Sequence, residues 1–187
     1  HGGPISLPIY FAAARGATGA DGDPGIVAAE MTKWFDTNYH YLVPEVNATQ
    51  TFELCSTKVV DDFIEAREFG FTTRPVLVGP VTYLRLAKSN DHSDPVSALP
   101  ALLPVYIEVL QRLVGAGADW VQIDEPYLVT DLDARTRNAY RTAYDTFAEH
   151  VPDAKLMLTS YFGSLGDNTN LTLSLPVAGV HVDLVRA

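Results

Sequence analysis

Four short apolar runs, each halted by polar or conformationally special residues and set among stretches of helical periodicity, constrain this chain more than any other feature. Val76 to Val78 stops at Gly79-Pro80, and Trp120 to Ile123 stops at Asp124-Glu125-Pro126. Leu156 to Leu158 stops at Thr159-Ser160-Tyr161, and Val180 to Leu184 reads V-H-V-D-L. Between them, Leu99, Leu102, Leu103, Tyr106, Leu110, Leu113 and Val114 form one helical stripe closed by Gly115 and Gly117, and Tyr140, Ala143, Tyr144 and Phe147 form another. Alternation of strand, polar stop and helix belongs to parallel α/β proteins, whose strands are covered on both faces and so do not alternate cleanly. No G-x-G-x-x-G or Walker-type loop occurs at any strand-to-helix turn, which favours a (β/α)8 barrel over a doubly wound sheet. The expected fold class is therefore α/β, an incomplete (β/α)8 TIM-type barrel with about five parallel strands, where closure needs eight.

The fifth strand comes from Tyr39 to Val46, aromatic and β-branched and stopped near Pro44. A helix follows, with Val59, Val60, Phe63 and Ile64 on one face, Ser56 or Thr57 as cap, and Gly70 as terminator. Arg15 to Gly25 is glycine-rich and reads as a loop, so residues 1–25 are expected to be largely loop or irregular and 26–187 to be barrel units. Asp23-Pro24 resembles an N-cap and first helical position, and Val27, Met31, Trp34 and Phe35 follow at helical spacing, predicting a helix there.

Composition narrows the partners. At 187 residues and 47% hydrophobic content the chain can bury a proper core. Its formal net charge of -10 repels phosphate backbones, and no Lys/Arg run offsets it, which argues against nucleic acid and anionic membranes. The single Cys55 excludes an internal disulfide and suits a reducing compartment. No apolar run approaches the roughly 20 residues of a membrane span, and no basic-then-apolar leader is visible. The expectation is a cytoplasmic protein or part of one, with the initial His1 suggesting a cut boundary.

Four places could carry chemistry. Glu30 to Tyr41 is dense in polar and aromatic groups: aromatic faces can stack on a flat heterocycle and Lys33 can pair with an anionic tail. The alternative is a junction with a solvated lysine and core aromatics. Asp124 and Glu125, adjacent at a strand end, point to opposite faces, so at most one reaches the working edge. That one is either an acceptor or base for a substrate amine, or a helix cap or ion-pair partner. His181 and Asp183 share a strand face and could be two metal ligands, but zinc needs three or four, and His40, His92, His150 and Cys55 show no matching spacing. Cys55 itself, near a helix start, is either an activated or an inert thiol.

Five blocks bear a resemblance. E-M-T-K-W-F-D-T-N-Y-H-Y-L-V-P-E (Glu30 to Glu45), P-V-L-V-G-P-V-T-Y-L (Pro75 to Leu84), W-V-Q-I-D-E-P (Trp120 to Pro126), L-T-S-Y-F (Leu158 to Phe162) and G-V-H-V-D-L-V (Gly179 to Val185) occur in the order found in cobalamin-independent methionine synthases. That family is built of two (β/α)8 barrels. Its carboxyl-terminal barrel holds zinc and activates homocysteine as a thiolate, and its amino-terminal barrel helps bind the polyglutamate tail of 5-methyltetrahydrofolate. The resemblance places this chain in the amino-terminal barrel, without its first two strands and its last. It implies no catalytic residue and no metal ligand here, a folate-tail contact at Lys33, and the carboxyl-terminal catalytic barrel of the same chain as partner. Such a piece is expected to be inactive alone, and either to self-associate through exposed edges or to persist as a stable core. The competing readings are a related single-barrel methyltransferase or decarboxylase, a free-standing tail-binding module, and a structural domain.

Overall fold

Helices and strands alternate through most of the computed structural model, which describes residues 6–19 and 25–186. In chain order the elements are α1 (Leu7–Arg15), β1 (Met31–Lys33), β2 (His40–Leu42), β3 (Glu45–Val46), α2 (Lys58–Glu68), β4 (Val76–Val78), α3 (Pro80–Arg85), β5 (Lys88–Ser89), α4 (Leu99–Gly115), β6 (Trp120–Asp124), α5 (Ala134–His150), β7 (Lys155–Thr159), α6 (Thr169–Ser174) and β8 (Gly179–His181). Single 3₁₀ turns precede α4, follow β6 and precede α6.

The centre is a four-stranded sheet in the order β4-β6-β7-β8, with every pairing parallel. The apolar runs therefore become strands because their non-polar side chains are buried on the helix-covered face: Val121, Ile123, Leu156 and Leu158 pack with Leu110, Leu113, Tyr140, Tyr144 and Phe147 of α4 and α5. Tyr144 meets Phe147 edge-on at 5.6 Å, and Tyr106 donates to the Val78 carbonyl at 2.7 Å, fastening α4 to the edge strand. The opposite face is open. Val76 and Val78 are 50% and 40% exposed, and Trp120, Gln122 and Asp124 are half-buried beside them.

Polar contacts set the helix ends. Asp133 caps α5 by accepting from the Thr136 amide at 2.7 Å. Arg85, at the end of α3, reaches both Asp94 (3.2 Å) and Asp133 (3.3 Å), so one half-buried guanidinium links the starts of two helical segments. For α2 the Ser56 hydroxyl accepts from the Lys58 amide at 3.3 Å, and of its apolar stripe Val60 and Phe63 are buried while Ile64 stays exposed.

Several expectations are corrected. Val27, Met31, Trp34 and Phe35 do not share a helix: Met31–Lys33 is a strand, antiparallel to His40–Leu42, and the turn between them is held by the Thr37 hydroxyl on the Trp34 carbonyl at 2.7 Å. The Asp23-Pro24 start lies outside the described residues. Tyr39 to Val46 is not one strand. Its first half belongs to that hairpin, and Glu45–Val46 pairs in parallel with Lys88–Ser89, apart from the central sheet. Residues 7–15 are helical where loop or irregular chain is expected, with Pro8 in the first turn. The 21-residue stretch Pro95–Gly115, whose most apolar 18 residues have a mean hydropathy of 1.3, is long and apolar enough to cross a membrane by length and composition. In the fold its Leu99, Leu102, Leu103, Leu110 and Leu113 are buried in the core.

Candidate functional site

The carboxyl edge of the parallel sheet collects the polar stops, and there the two adjacent carboxylates part. Glu125 turns toward the helices and is wholly buried. Its oxygens accept from the amides of Val81 (3.3 Å) and Thr82 (2.7 Å) in the first turn of α3, and the Tyr140 hydroxyl donates at 3.4 Å. A helix start leaves such amides without partners, and a carboxylate there also meets the positive end of the helix dipole. Burial raises the Glu125 pKa from 4.5 to about 7, against the opposing pull of those hydrogen bonds. Gly79 makes the arrangement sterically possible, because a Cβ at that position would overlap the Glu125 carboxyl group. Of the two roles open to the pair, helix capping describes Glu125.

Asp124 faces the open side of the sheet. It stands in register with Val78 and Thr159, and Thr159 in turn with His181, which makes a row across the strand ends. Its carboxylate accepts from Gln122 Nε2 at 2.7 Å and from the Tyr161 hydroxyl at 3.1 Å, and Gln122 accepts from Arg74 at 2.8 Å. The result is a polar relay from Arg74 to Tyr161 along the open face. Burial and the Asp124 charge push the Tyr161 hydroxyl well above its ordinary range. Thr159 Oγ1 is buried without a hydrogen-bond partner among the described residues.

Trp34 brings in the hairpin. Beyond Lys33 its turn carries Trp34 and Phe35, which meet edge-on at 5.3 Å, and Trp34 also meets Tyr41 at 5.6 Å. Phe35 lies against Phe162 at 5.3 Å, and Asp36 pairs with Arg186, whose guanidinium is 5.9 Å from the Phe162 ring centre. At the other end Glu30 pairs with Lys88, and the Tyr41 hydroxyl donates to the Leu86 carbonyl at 3.4 Å. Lys33 is exposed on β1, in register with His40, and has no ion-pair partner among the described residues. Sequence reasoning missed Tyr161, Arg74 and the Asp36–Arg186 pair as parts of this site. Tyr161 had a usable signal, since it directly follows a strand's carboxyl end, where parallel sheets place ligand contacts.

His181 and Asp183 do not act as a pair. The His181 ring nitrogen Nδ1 lies 3.2 Å from the Ser160 carbonyl, and the strand ends at His181. Asp183 instead accepts from the amides of Phe162 (3.0 Å), Val185 (2.8 Å) and Arg186 (3.0 Å), which lower its pKa. Among the described residues no group of three or more His, Cys, Asp and Glu could hold a metal, so these side chains do not fit a zinc centre. Cys55 is exposed ahead of α2 and lines a surface cleft with Lys58, Asp61 and Arg112.

With that geometry in place, comparison with known proteins decides the family. The family model described as "Cobalamin-independent synthase, N-terminal domain" matches residues 2–187. The chain belongs to this family. Members similar to it include the 5-methyltetrahydropteroyltriglutamate–homocysteine methyltransferases of Nitrobacter winogradskyi (56% identical, covering 99% of this chain and 26% of that one) and Rhodopseudomonas palustris (56%, 100% and 26%). That of Xylella fastidiosa is also 56% identical, covering 96% of this chain and 23% of its own. The chain thus spans about a quarter of the length of the curated relatives it matches. A crystal structure from Listeria monocytogenes, described as a "Putative Vitamin-B12 Independent Methionine Synthase", superposes with a TM-score of 0.54 over 73% of this chain and 46% of that one. At 17% identity that likeness speaks for the fold alone.

Proposed function

We propose that this chain is part of an enzyme that moves a methyl group from 5-methyltetrahydrofolate polyglutamate to homocysteine, and that its own share is tail binding and scaffolding. The observation that carries the reading is Lys33. It is an exposed cation without an acidic partner among the described residues, on a hairpin anchored beside the carboxyl edge of a parallel sheet. A γ-glutamyl carboxylate suits that charge, and neighbouring aromatic rings fix the hairpin that presents it. The open sheet face, lined by Val76, Val78, Trp120, Gln122 and Asp124, is read as the lumen side of an incomplete (β/α)8 barrel, since barrel strands turn alternate side chains inward. Homocysteine activation and zinc belong, in this reading, to a carboxyl-terminal catalytic barrel of the same enzyme, and a cytoplasmic setting goes with it.

Calorimetric titration with methyltetrahydrofolate triglutamate tests the assignment. Binding is expected to weaken about tenfold in Lys33→Ala, the loss of one charge-assisted contact, and to weaken at higher salt. Equal affinity in the two proteins, or no heat at millimolar ligand, would remove the tail site from this chain. A second reading, self-association of the chain through its open face, is favoured by the exposure of Val76 and Val78 on one edge of the sheet.

A further inference from the structure

We propose that Tyr161 and Asp124 are positioning residues that hold the Lys33 hairpin against the strand ends, an inference that rests on the tail-binding reading of Lys33. The hairpin cannot place itself. Its two strands share three register pairs, and an isolated two-stranded ribbon is marginal in water. Something outside it must fix where Lys33 points.

Several anchors are available, and they are unequal. The Glu30–Lys88 and Asp36–Arg186 pairs have side chains about half exposed or more, and exposed ion pairs of this kind contribute little and are screened by salt. Another anchor is tied to the sheet: Phe35 lies against Phe162 at 5.3 Å, the Phe162 ring meets the Tyr161 ring edge-on at 4.7 Å, and Tyr161 donates to Asp124 at 3.1 Å. Asp124 is the last residue of β6, which is paired on both sides within the sheet, so it is fixed to the most rigid part of the molecule. Gln122 donates to it at 2.7 Å and is itself held by Arg74, which orients the carboxylate toward Tyr161.

Backbone strain points to the same place. Phe35 and Phe162, whose rings meet at 5.3 Å, both have positive φ, 51° and 80°, a region unfavourable for bulky residues. Phe162 directly follows Tyr161 and Phe35 directly follows Trp34. The strained pair therefore joins the residue after Trp34 to the residue after Tyr161, and strain persists where the surroundings over-determine it.

The chain has two tryptophans, so Trp120→Phe leaves Trp34 as a single reporter. In that background Tyr161→Phe and Asp124→Ala are each expected to raise acrylamide quenching of Trp34 at least twofold and to red-shift its emission. The double variant should be no looser than the worse single one, because the two residues act as one link. Each should also weaken triglutamate binding about as much as Lys33→Ala, which itself leaves Trp34 quenching unchanged. Unchanged quenching in both single variants, or additive effects in the double one, overturns the link. Binding that Lys33→Ala weakens but Tyr161→Phe and Asp124→Ala leave alone overturns the positioning role only. No binding by the unsubstituted chain removes the tail-site reading and this role with it. Should Tyr161→Phe fail to fold, Asp124→Ala carries the same readouts.

Discussion

At the scale of single residues, Gly79 and Glu125 form one unit. A methyl group at Gly79 would meet the Glu125 carboxyl head-on, and neither strand β4 nor helix α3 can retreat without breaking core contacts. Gly79→Ala should therefore lower stability by about 1–3 kcal/mol in chemical denaturation, the range for an overpacked interior. Glu125 makes a separate prediction in pH. Its folded pKa of about 7 lies above its ordinary 4.5, so between those values the folded protein holds a proton that the unfolded chain has released. Stability should then fall as pH rises from about 5 to about 8, by about 3 kcal/mol for this group, and level off above. Glu125→Gln should abolish that slope while lowering stability overall, because its amide presents N–H groups to backbone donors. A parallel slope in the two proteins across that window would show that the carboxyl does not titrate there. The D-E-P motif on its own announces two carboxylates at a strand end. It does not say that the second belongs to a different helix, because the partner amides of Val81 and Thr82 lie in α3, a six-residue helix too short for periodicity to reveal.

Elements carry the next level of argument. Asp133 starts α5 through the Thr136 amide, and its hydrogen bonds there depress its pKa, Arg85 adding to the effect. Asp133→Ala should cost about 1 kcal/mol in thermal or denaturant unfolding at neutral pH. Because the folded pKa is depressed, the contribution is present above the unfolded value of 3.8 and lost as pH falls through the folded value. The difference between the two proteins should accordingly narrow as pH falls below 3.8. Helices α4 and α5 and strands β6 and β7 were legible in the sequence because each places a repeated apolar face on one shared core. The hairpin was not. Met31, Trp34 and Phe35 fall at helical spacing by coincidence, and what holds the strand and its turn in place is remote: Phe35 on Phe162, Asp36 on Arg186, Tyr41 on Leu86. Local periodicity contains no information about such partners. Lys33 stood out in the sequence through the block around it, whereas its anchors could be found only in three dimensions.

For the whole molecule, asymmetry of the sheet is the dominant property. One face is sealed by α4 and α5, and the other shows Val76 and Val78 to solvent next to Trp120. Light scattering at high concentration should report a mass above that of a monomer, and Val76→Lys with Val78→Lys should restore the monomer without lowering the melting temperature by more than a few degrees. A monomer at every concentration would show that the exposed valines are tolerated as they stand.

The anchoring of the hairpin also has a consequence in time. Glu30 and Lys88 are 58 positions apart and Asp36 and Arg186 are 150 apart. On a ribosome adding about 5–20 residues per second, Asp36 waits roughly 8–30 s for its partner to be made. The four-stranded sheet can begin to assemble as soon as its strands emerge, but the hairpin receives its last ion-pair partner only once Arg186 has been made. A stalled nascent chain would thus display the motif with none of the geometry that makes it useful.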